Sequence, residues 1–530
     1  FYGNNTVTAN VLPVAFDMVP EDCREEVCNN IVKKIIVDGG GHISCGVIGL
    51  QWIQHELDRM GRSDISYLLA TQKSYPSYGY MAMQGATTIW ELWNGNTANP
   101  SMNSGNHVML LGDLISWYYH DLAGIRPAEP GYKTIELRPQ FDIDDLSYVN
   151  ASYKTLYGKV TSNWKKTLNK LEWDIQIPAN TSALVWFPGE SAPERLGSGT
   201  YHFSRPVHHP EHVLEESFLY EKASFPQCHA STIAETPSGD LVSAFFGGTA
   251  EKNPDVCIWV CRKEKGSDTW SQPQLVADGI QSPTLRYPCW NPVLFQIPGG
   301  DLMLFYKVGP TIPEWVGYIR RSKDGGRTWS EPQRLPDGIL GAIKNKPVMI
   351  GNRIICPSST EKDHWRIHFE ISDDGGYTWR KVGPVAAPEE FQLIQPSILV
   401  HKDGSLQALC RTKNNYVGCT WSRDNGETWS EVELLDVYQN QSGLDAVTLA
   451  DGTFALVYNN APQRPTEPKG PRTPLNLALS KDGIHWEDVL VIEDSPISQY
   501  SYPSVIQGAD GSLHIVYTWR RTRIKYVRYK

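Results

Sequence analysis

Two kinds of hydrophobic spacing divide the chain. Up to about residue 126 the apolar positions recur every three to four residues; beyond it they alternate. Within residues 21–35, Cys23, Val27, Ile31 and Ile35 stand four apart and make one stripe, the pattern of a half-buried helix. Pro20 just ahead is a start signal. Further helices are predicted over 47–60, closing at Gly61, over 63–71, and over 108–122, where Gly124 and Pro127 stop the chain. Alternation then predicts strands over 134–137, 149–155, 158–164, 170–177 and 182–186, enough for a small β-sandwich. Residues 189–212, rich in Ser, Gly, Pro and His, read as a linker.

From about residue 213 a phrase repeats. Ser322 to Trp329, Ser372 to Trp379 and Ser422 to Trp429 share the pattern S-x-D-x-G-x-T-W. A shorter copy runs from Ser480 to Trp486 and a worn one from Ser267 to Ser271. Their tryptophans lie 59, 50, 50 and 57 residues apart, a period that means a solenoid, a propeller or an array. Each phrase sits between β-rich runs, so it is a turn. The Asp side chain accepts N–H groups further on, Gly supplies positive φ, and Trp opens the next strand. Turn chemistry accounts for these carboxylates, which are not read as catalytic or as calcium ligands. About four short strands fill each period, among them 240–246, 301–307, 405–411 and 453–458. Five phrases plus a terminal strand that closes the ring predict a six-bladed β-propeller, with five and seven blades as the alternatives. The fold class is therefore multidomain: a helical part over 1–126, a β-sandwich over 127–205 and a propeller over 213–530.

Composition narrows the function classes. Net charge is −10 with the charges interspersed, which argues against a nucleic-acid partner. No run of eighteen apolar residues occurs, so no membrane span is expected. The chain starts at Phe1 without a basic, then apolar, leader and reads as a piece of a longer one. The compartment stays open, secreted or periplasmic being favoured over cytoplasmic. Ten cysteines lack zinc-site spacing, and most stand in apolar strands, as buried free thiols do. No metal and no cofactor is called for. The 18 Trp and 25 Tyr suit sugar rings, although propeller blades also use Trp as filler.

In the helical part the chemistry centres on Glu91, between Trp90 and Trp93. A carboxylate between indoles loses hydration, which raises its pKa and fits it for acid or base work. The segments Gly41 to Ser44, Tyr75 to Tyr80, Gly85 to Trp93 and Met102 to His107 resemble the last part of an α-L-rhamnosidase catalytic domain. That family is an (α/α)6 barrel of six helical hairpins that hydrolyses terminal α-L-rhamnose with inversion. The resemblance implies that Glu91 is the general base and that Trp90, Trp93 and His107 line the sugar pocket. The sandwich is similar to the β domain that follows the barrel. Inversion needs two carboxyl groups about 6.5–9.5 Å apart, and the family's acid falls upstream of this sequence. We therefore expect this chain to be inactive on rhamnosides, and the half barrel to leave apolar faces without a partner.

In the repeat region the informative residues are those the turn phrase does not explain. They are His229, Glu251, Asp255, Trp290, Asn291, Lys344, Lys346, Glu361, His368, Glu370, Gln395, Arg411, Asp445, Asn459, Tyr502 and Arg520. Each opens or closes an apolar strand, where a polar group must find water, a partner or a ligand. Basic groups there suit a substrate carboxylate. The region resembles the sialidase superfamily, in the branch with Asp-box (BNR) repeats. Sialidases use a tyrosine nucleophile assisted by a glutamate, an aspartate acid/base and three carboxylate-binding arginines. The resemblance implies that Tyr502 is the nucleophile, that Asp255 or Glu251 is the acid/base, and that Glu361 or Glu370 assists Tyr502. Arg411 and Arg520 then bind carboxylate, with Trp290, Asn291, Lys344, Lys346, Gln395 and Asp445 in the substrate site. The family's first arginine is replaced by His229-Ala230-Ser231, which leaves other acidic sugars open.

The expected function is therefore carbohydrate degradation. The propeller would hydrolyse an exo-linked acidic sugar, joined to a truncated rhamnosidase region, on an oligo- or polysaccharide with rhamnose, acidic sugars or both. The alternatives are a non-catalytic glycan-binding propeller, and a polysaccharide lyase or rhamnosyl-uronate hydrolase that uses His229.

Overall fold

A computed structural model describes residues 1–167, 170–207, 210–362, 364–463 and 472–530. The chain divides into two compact units, Phe1–His208 and His209–Lys530.

The first unit begins with six α-helices: Val7–Ala15, Glu21–Lys33, Val47–Arg59, Ser63–Thr71, Tyr78–Met83 and Val108–Trp117. The second and sixth each run on into a π-helical turn, Lys34–Asp38 and Tyr118–Leu122. Of the predicted stripe, Val27, Ile31 and Ile35 are buried and Cys23 is half-buried. The helix Val7–Ala15 was not among those predicted; Thr6 caps it by accepting Ala9 N, Val7, Val11 and Val14 bury its apolar stripe, and Pro13 stands inside it. Some large apolar side chains are exposed on this part, Met18 at 70% and Ile48 at 61%.

Two four-stranded sheets follow. One orders Ile125–Pro127, Thr134–Leu137, Ser182–Val185 and Glu194–Leu196; the other orders Tyr148–Thr155, Gly158–Lys166, Lys170–Ile177 and Gly199–Pro206. Between them lie Trp164 and Trp173, whose indole N–H groups donate to Leu122 O at 2.9 Å and Ser162 Oγ at 3.0 Å. The stretch 189–212 is thus not a simple linker. Gly199–Pro206 pairs along its whole length with Lys170–Ile177, and Tyr201 and Phe203 pack on the core. The Gly and Pro content concealed an edge strand, the place where those residues are tolerated.

The second unit contains, among its described residues, six four-stranded antiparallel sheets and one short hairpin. The first strands of the six sheets are Gln227–Glu235, Cys289–Gln296, Val348–Ile350, Leu393–Val400, Asp445–Thr448 and Tyr500–Gln507. Five sheets are continuous in sequence. The sixth takes its outermost strand, Val213–Phe218, from the start of the unit, paired with Arg523–Tyr529. Apolar clusters form between successive sheets: Ala244 and Phe246 with Leu304 and Tyr306, Met303 and Phe305 with Ile354 and Cys356. The series continues to the sixth sheet, whose Val516, Ile524 and Tyr526 pack on Ile233 and Phe245 of the first. All ten cysteines are free thiols, eight of them buried. Among the described residues no helix is long and apolar enough to cross a membrane.

The repeated phrases are turns. In each of the three full copies one carboxylate oxygen accepts backbone N–H and the other accepts the Thr hydroxyl. For Asp374 these are Tyr377 N at 3.0 Å, Thr378 N at 2.9 Å and Thr378 Oγ1 at 2.6 Å. In the short copy His485 Nδ1 takes the place of the Thr hydroxyl, 2.7 Å from Asp482. These hydrogen bonds hold Asp324, Asp374, Asp424 and Asp482 below the usual carboxylate range. The tryptophans then reach the preceding sheet: Trp429 stacks on Phe369 with ring centroids 3.7 Å apart.

Candidate functional site

Four of the six first strands slip register beside a residue in left-handed conformation: Ala230 (φ 58°), Asn291 (36°), Gln395 (56°) and Tyr502 (54°). Three of these precede proline, as Asn291-Pro292, Gln395-Pro396 and Tyr502-Pro503. A bulge re-aims a side chain, and positive φ outside glycine persists only where the surroundings enforce it. Here neighbouring sheets enforce it through the bulge carbonyls. Lys344, itself at φ 68°, is buried and donates from Nζ to Leu444 O at 2.8 Å, to Asn345 Oδ1 at 2.9 Å and to Pro503 O. Burial, partly opposed by Asp445, lowers its pKa to about 7. Asn345 Nδ2 donates to Gln395 O at 2.9 Å and Pro396 O at 3.1 Å, and Ser231 Oγ donates to Tyr502 O at 3.3 Å. Asp445, fully buried, accepts from Lys346 Nζ at 2.9 Å, Ser397 Oγ at 2.8 Å and Val505 N at 2.9 Å. Burial works to raise its pKa, but Lys346, Lys344 and these hydrogen bonds bring it below the ordinary value. Lys344, Lys346 and Asp445 therefore brace the frame on which Tyr502 and Gln395 are mounted.

That frame presents one polar cluster. Arg411 Nη1 donates to the Tyr502 phenol oxygen at 2.6 Å and to Gln395 Oε1 at 3.3 Å, while Gln395 Nε2 donates to the same phenol at 3.2 Å. Arg411 Nε is buried and lacks a protein partner among the described residues. The His229 ring lies 4.1 Å from the Tyr502 ring, with Nδ1 2.9 Å from Thr518 Oγ1. Burial, and then the charges of Arg521, Arg472, Arg411 and Lys344, push its pKa far below the ordinary value. Arg472 is 5.4 Å from the Tyr502 ring and donates to Gln499 Oε1 at 3.0 Å. Burial and the neighbouring Arg411 bring its pKa down to about 10. Arg521 Nη1 pairs with Glu251 at 2.9 Å. Arg411 and Arg472 thus lie against one tyrosine while the charge of Arg521 acts on the adjoining His229, and an anion there would relieve their mutual repulsion.

The remaining residues divide. Glu251 reaches the cluster through Arg521; Asp255 is exposed and caps its own loop through Thr249 N at 2.8 Å and Thr249 Oγ1 at 2.5 Å. Glu370 is bound elsewhere, accepting Leu340 N at 2.9 Å, Gly341 N at 2.6 Å and His368 Nε2 at 3.0 Å. Glu361 lines a cavity whose walls do not include Tyr502. Gln395, not Glu361 or Glu370, touches the phenol. Arg520 turns to Tyr500 Oη at 3.0 Å and stacks on Trp519. Trp290 is buried and donates to Gly309 O at 3.0 Å, and Asn459 Nδ2 donates to Pro474 O and Tyr500 O. Sequence reasoning did not single out Arg472, Arg521 or Thr518. The recurring x-Pro bulge was a usable signal for the frame, since a residue forced to positive φ before proline on an apolar strand needs a reason.

In the first unit Glu91 zips to the later motif: Ser104 N donates to Glu91 Oε2 at 2.9 Å and Glu91 N to Ser104 O at 2.9 Å. His107 N donates to Ile89 O at 2.7 Å, and Trp93 packs edge-on against Tyr78. Trp90 folds over Gly95, where a Cβ would stand 2.7 Å from the indole. Glu91 is exposed, so the burial between indoles expected of it is absent.

Three family models match the chain. Residues 239–515 match the BNR repeat-like domain, 1–122 the bacterial alpha-L-rhamnosidase six-hairpin glycosidase domain, and 124–202 the bacterial alpha-L-rhamnosidase C-terminal domain. An alpha-L-rhamnosidase of Streptomyces avermitilis is 31% identical over 197 residues, 36% of this chain and 19% of that protein. An alpha-L-rhamnosidase of Formosa agariphila is 34% identical over 192 residues, 35% of this chain and 20% of that protein. A sialidase of Micromonospora viridifaciens is 23% identical over 305 residues, 54% of this chain and 40% of that protein. The chain therefore spans about a fifth of the length of these rhamnosidases.

Proposed function

The chain belongs to the BNR repeat-like domain family, and on that premise we propose that its second unit is a six-bladed β-propeller that cleaves an acidic sugar from a glycan. The six sheets, packed in series with the sixth against the first, are the blades. The relatives are glycoside hydrolases, and the reading assigned here is exo-hydrolysis. One observation carries it: the Tyr502 phenol is 2.6 Å from the Arg411 guanidinium, and its ring lies beside Arg472 and 4.1 Å from the His229 ring. The arginines hold the substrate carboxylate in bidentate fashion. Tyr502 gives its phenol proton to solvent and attacks the anomeric carbon, the bond to the leaving oxygen breaks as Glu251 or Asp255 delivers a proton to that oxygen, and water, deprotonated by the same carboxylate, then displaces the sugar from the phenol oxygen. Arg411 offsets the negative charge that the phenol oxygen carries as a nucleophile.

The test is turnover of 4-methylumbelliferyl glycosides of N-acetylneuraminic and glucuronic acid by the whole chain. Tyr502→Phe should lower kcat/KM by about a thousandfold or more. Full turnover by that variant, or binding with no released sugar, overturns the reading.

A second reading has its own observation. The amide of Gln395 faces the phenol where a sialidase would offer a carboxylate, and His229 lies on the ring. Such a set also suits proton abstraction beside a uronate carboxylate, in which Arg411 and Gln395 neutralise the acid and Tyr502 or His229 moves the proton. Ultraviolet absorbance from an unsaturated uronate, lost in His229→Ala, would select it. For the first unit we propose a remnant that is silent on rhamnosides by itself. Its presence in the chain points to a glycan in which rhamnose neighbours an acidic residue.

A further inference from the structure

A cavity outside this cluster is not used by this reading. It has a volume of about 220 Å³ and opens where three connections of the second unit meet. Trp315 comes from the link between the second and third strands of the second sheet. Leu340 comes from the crossover to the third sheet, and Glu361 and Lys362 from the link between that sheet's second and third strands. Glu251, Arg472 and Arg521 occupy second-to-third-strand links of the first, fifth and sixth sheets. Strand alternation in an antiparallel sheet places those links and the crossovers at the same end. The cavity and the arginine cluster thus open on one face.

The cavity wall is built, not incidental. Glu370 pins it by accepting Leu340 N and Gly341 N, and Lys307 Nζ donates to the next carbonyl, Ala342 O. Gly317 is needed behind it, since a Cβ there would stand 2.6 Å from Leu340 O. Trp315 packs edge-on against Trp290, centroids 5.9 Å apart, one residue before the Asn291 bulge. The same crossover continues from Leu340 to Lys344, which carries the Tyr502 bulge. Two carboxylates singled out in the sequence, Glu361 and Glu370, thus belong to this wall. At the rim Arg334 is paired with Asp337 at 2.6 Å, whereas Lys362 and Lys381 have no carboxylate partner among the described residues. The volume lies below the ~300–1,000 Å³ of pockets that take drug-sized ligands, which suits a single sugar ring.

We propose that this cavity is a subsite for a further sugar unit of an acidic oligosaccharide, whose anionic substituent is held by the Lys362 and Lys381 ammonium groups. The inference rests on the arginine cluster being the primary saccharide site. It is tested by calorimetric titration of the whole chain with mono-, di- and trigalacturonate, and with maltotriose as a neutral control. Trigalacturonate should bind at least about tenfold tighter than the monomer, and Lys362→Met/Lys381→Met should erase that gain while leaving monomer binding unchanged. Both lysines are exposed, so the double variant keeps its fold, and an unchanged melting curve verifies this. A trimer that binds no tighter than the monomer, no binding at all, or a double variant that binds like the parent overturns the proposal. Failure of the primary reading looks different: Arg411→Met would leave monomer binding intact while the lysine pair still governs the trimer.

Discussion

Gln395→Glu puts the chemistry of the cluster to its hardest test. The amide oxygen is 3.3 Å from Arg411 Nη1 and its nitrogen 3.2 Å from the Tyr502 oxygen. A carboxylate in the same place faces the guanidinium on one side and the phenol on the other. At an effective dielectric constant near 20, a charge pair at that separation is worth about 5 kcal/mol. Gln395 is 1% exposed, so burying the new charge costs several kcal/mol, and the two nearly cancel. The variant should therefore fold, with a melting temperature within a few degrees of the parent. The new carboxylate can take the phenol proton, which the amide cannot. A positioned base contributes about 10²–10⁴-fold, so turnover of an aryl sialoside or glucuronide should rise by at least tenfold. Gln395→Glu/Tyr502→Phe should lose the gain. A folded Gln395→Glu protein with unchanged or lower turnover, beside a measurable parent, would refute nucleophilic attack by Tyr502 and favour the proton-abstraction reading.

Other expectations follow from the same contacts. Lys344→Met leaves the buried Leu444 and Pro503 carbonyls without their donor, and should cost about 1–3 kcal/mol for each in a denaturant melt. Because the folded pKa of Lys344 is lowered to about 7, the unfolded chain binds its proton more tightly between about pH 7 and 10.4. Stability from this group therefore rises with pH across that window, and the rise should vanish in the variant. The Asp-box carboxylates give a pH slope of the same sign in a more acid window. Their folded pKa values are depressed, so their stabilisation is present above about pH 3.9 and is lost as pH falls below it. Replacing Asp324 by Asn should flatten the acid side of the melting profile, and equal slopes would refute the turn role. Gly124→Ala should destabilise the sandwich, since φ is +70° and a Cβ would stand 2.1 Å from Pro139 N. Finally, p-nitrophenyl α-L-rhamnoside should not be turned over above background.

Much of the fold could be read in advance because it rests on local rules. Helix 63–71 and the strands near 134–137 and 170–177 follow from spacing alone. The Asp boxes follow from turn chemistry, down to the hydroxyl of Thr378 on Asp374. The site was only half legible. Tyr502, Arg411, His229 and Gln395 stood out as polar residues on apolar strands, but their meeting depends on contacts between residues up to 289 positions apart. Nothing local says that Arg521 rather than Arg520 turns inward, since both sit in one tight connection with positive φ. Glu370 was drawn to the wrong neighbour for the same reason: its partners, Leu340 and Gly341, lie on a crossover with no periodic signal.

The strand Val213–Phe218 is synthesised first in its unit and pairs with the strand synthesised last, Arg523–Tyr529, with Lys530 N donating to His212 O at 2.9 Å. Until Arg523–Tyr529 leaves the ribosome, that early segment waits with both edges open. Closing so long a loop is slow, and unpaired edges invite association with other chains. Deletion of the strand Arg523–Tyr529 should therefore be felt across the whole unit. It leaves a strand at each end of the unit without its mate, and we expect such a product in the insoluble fraction.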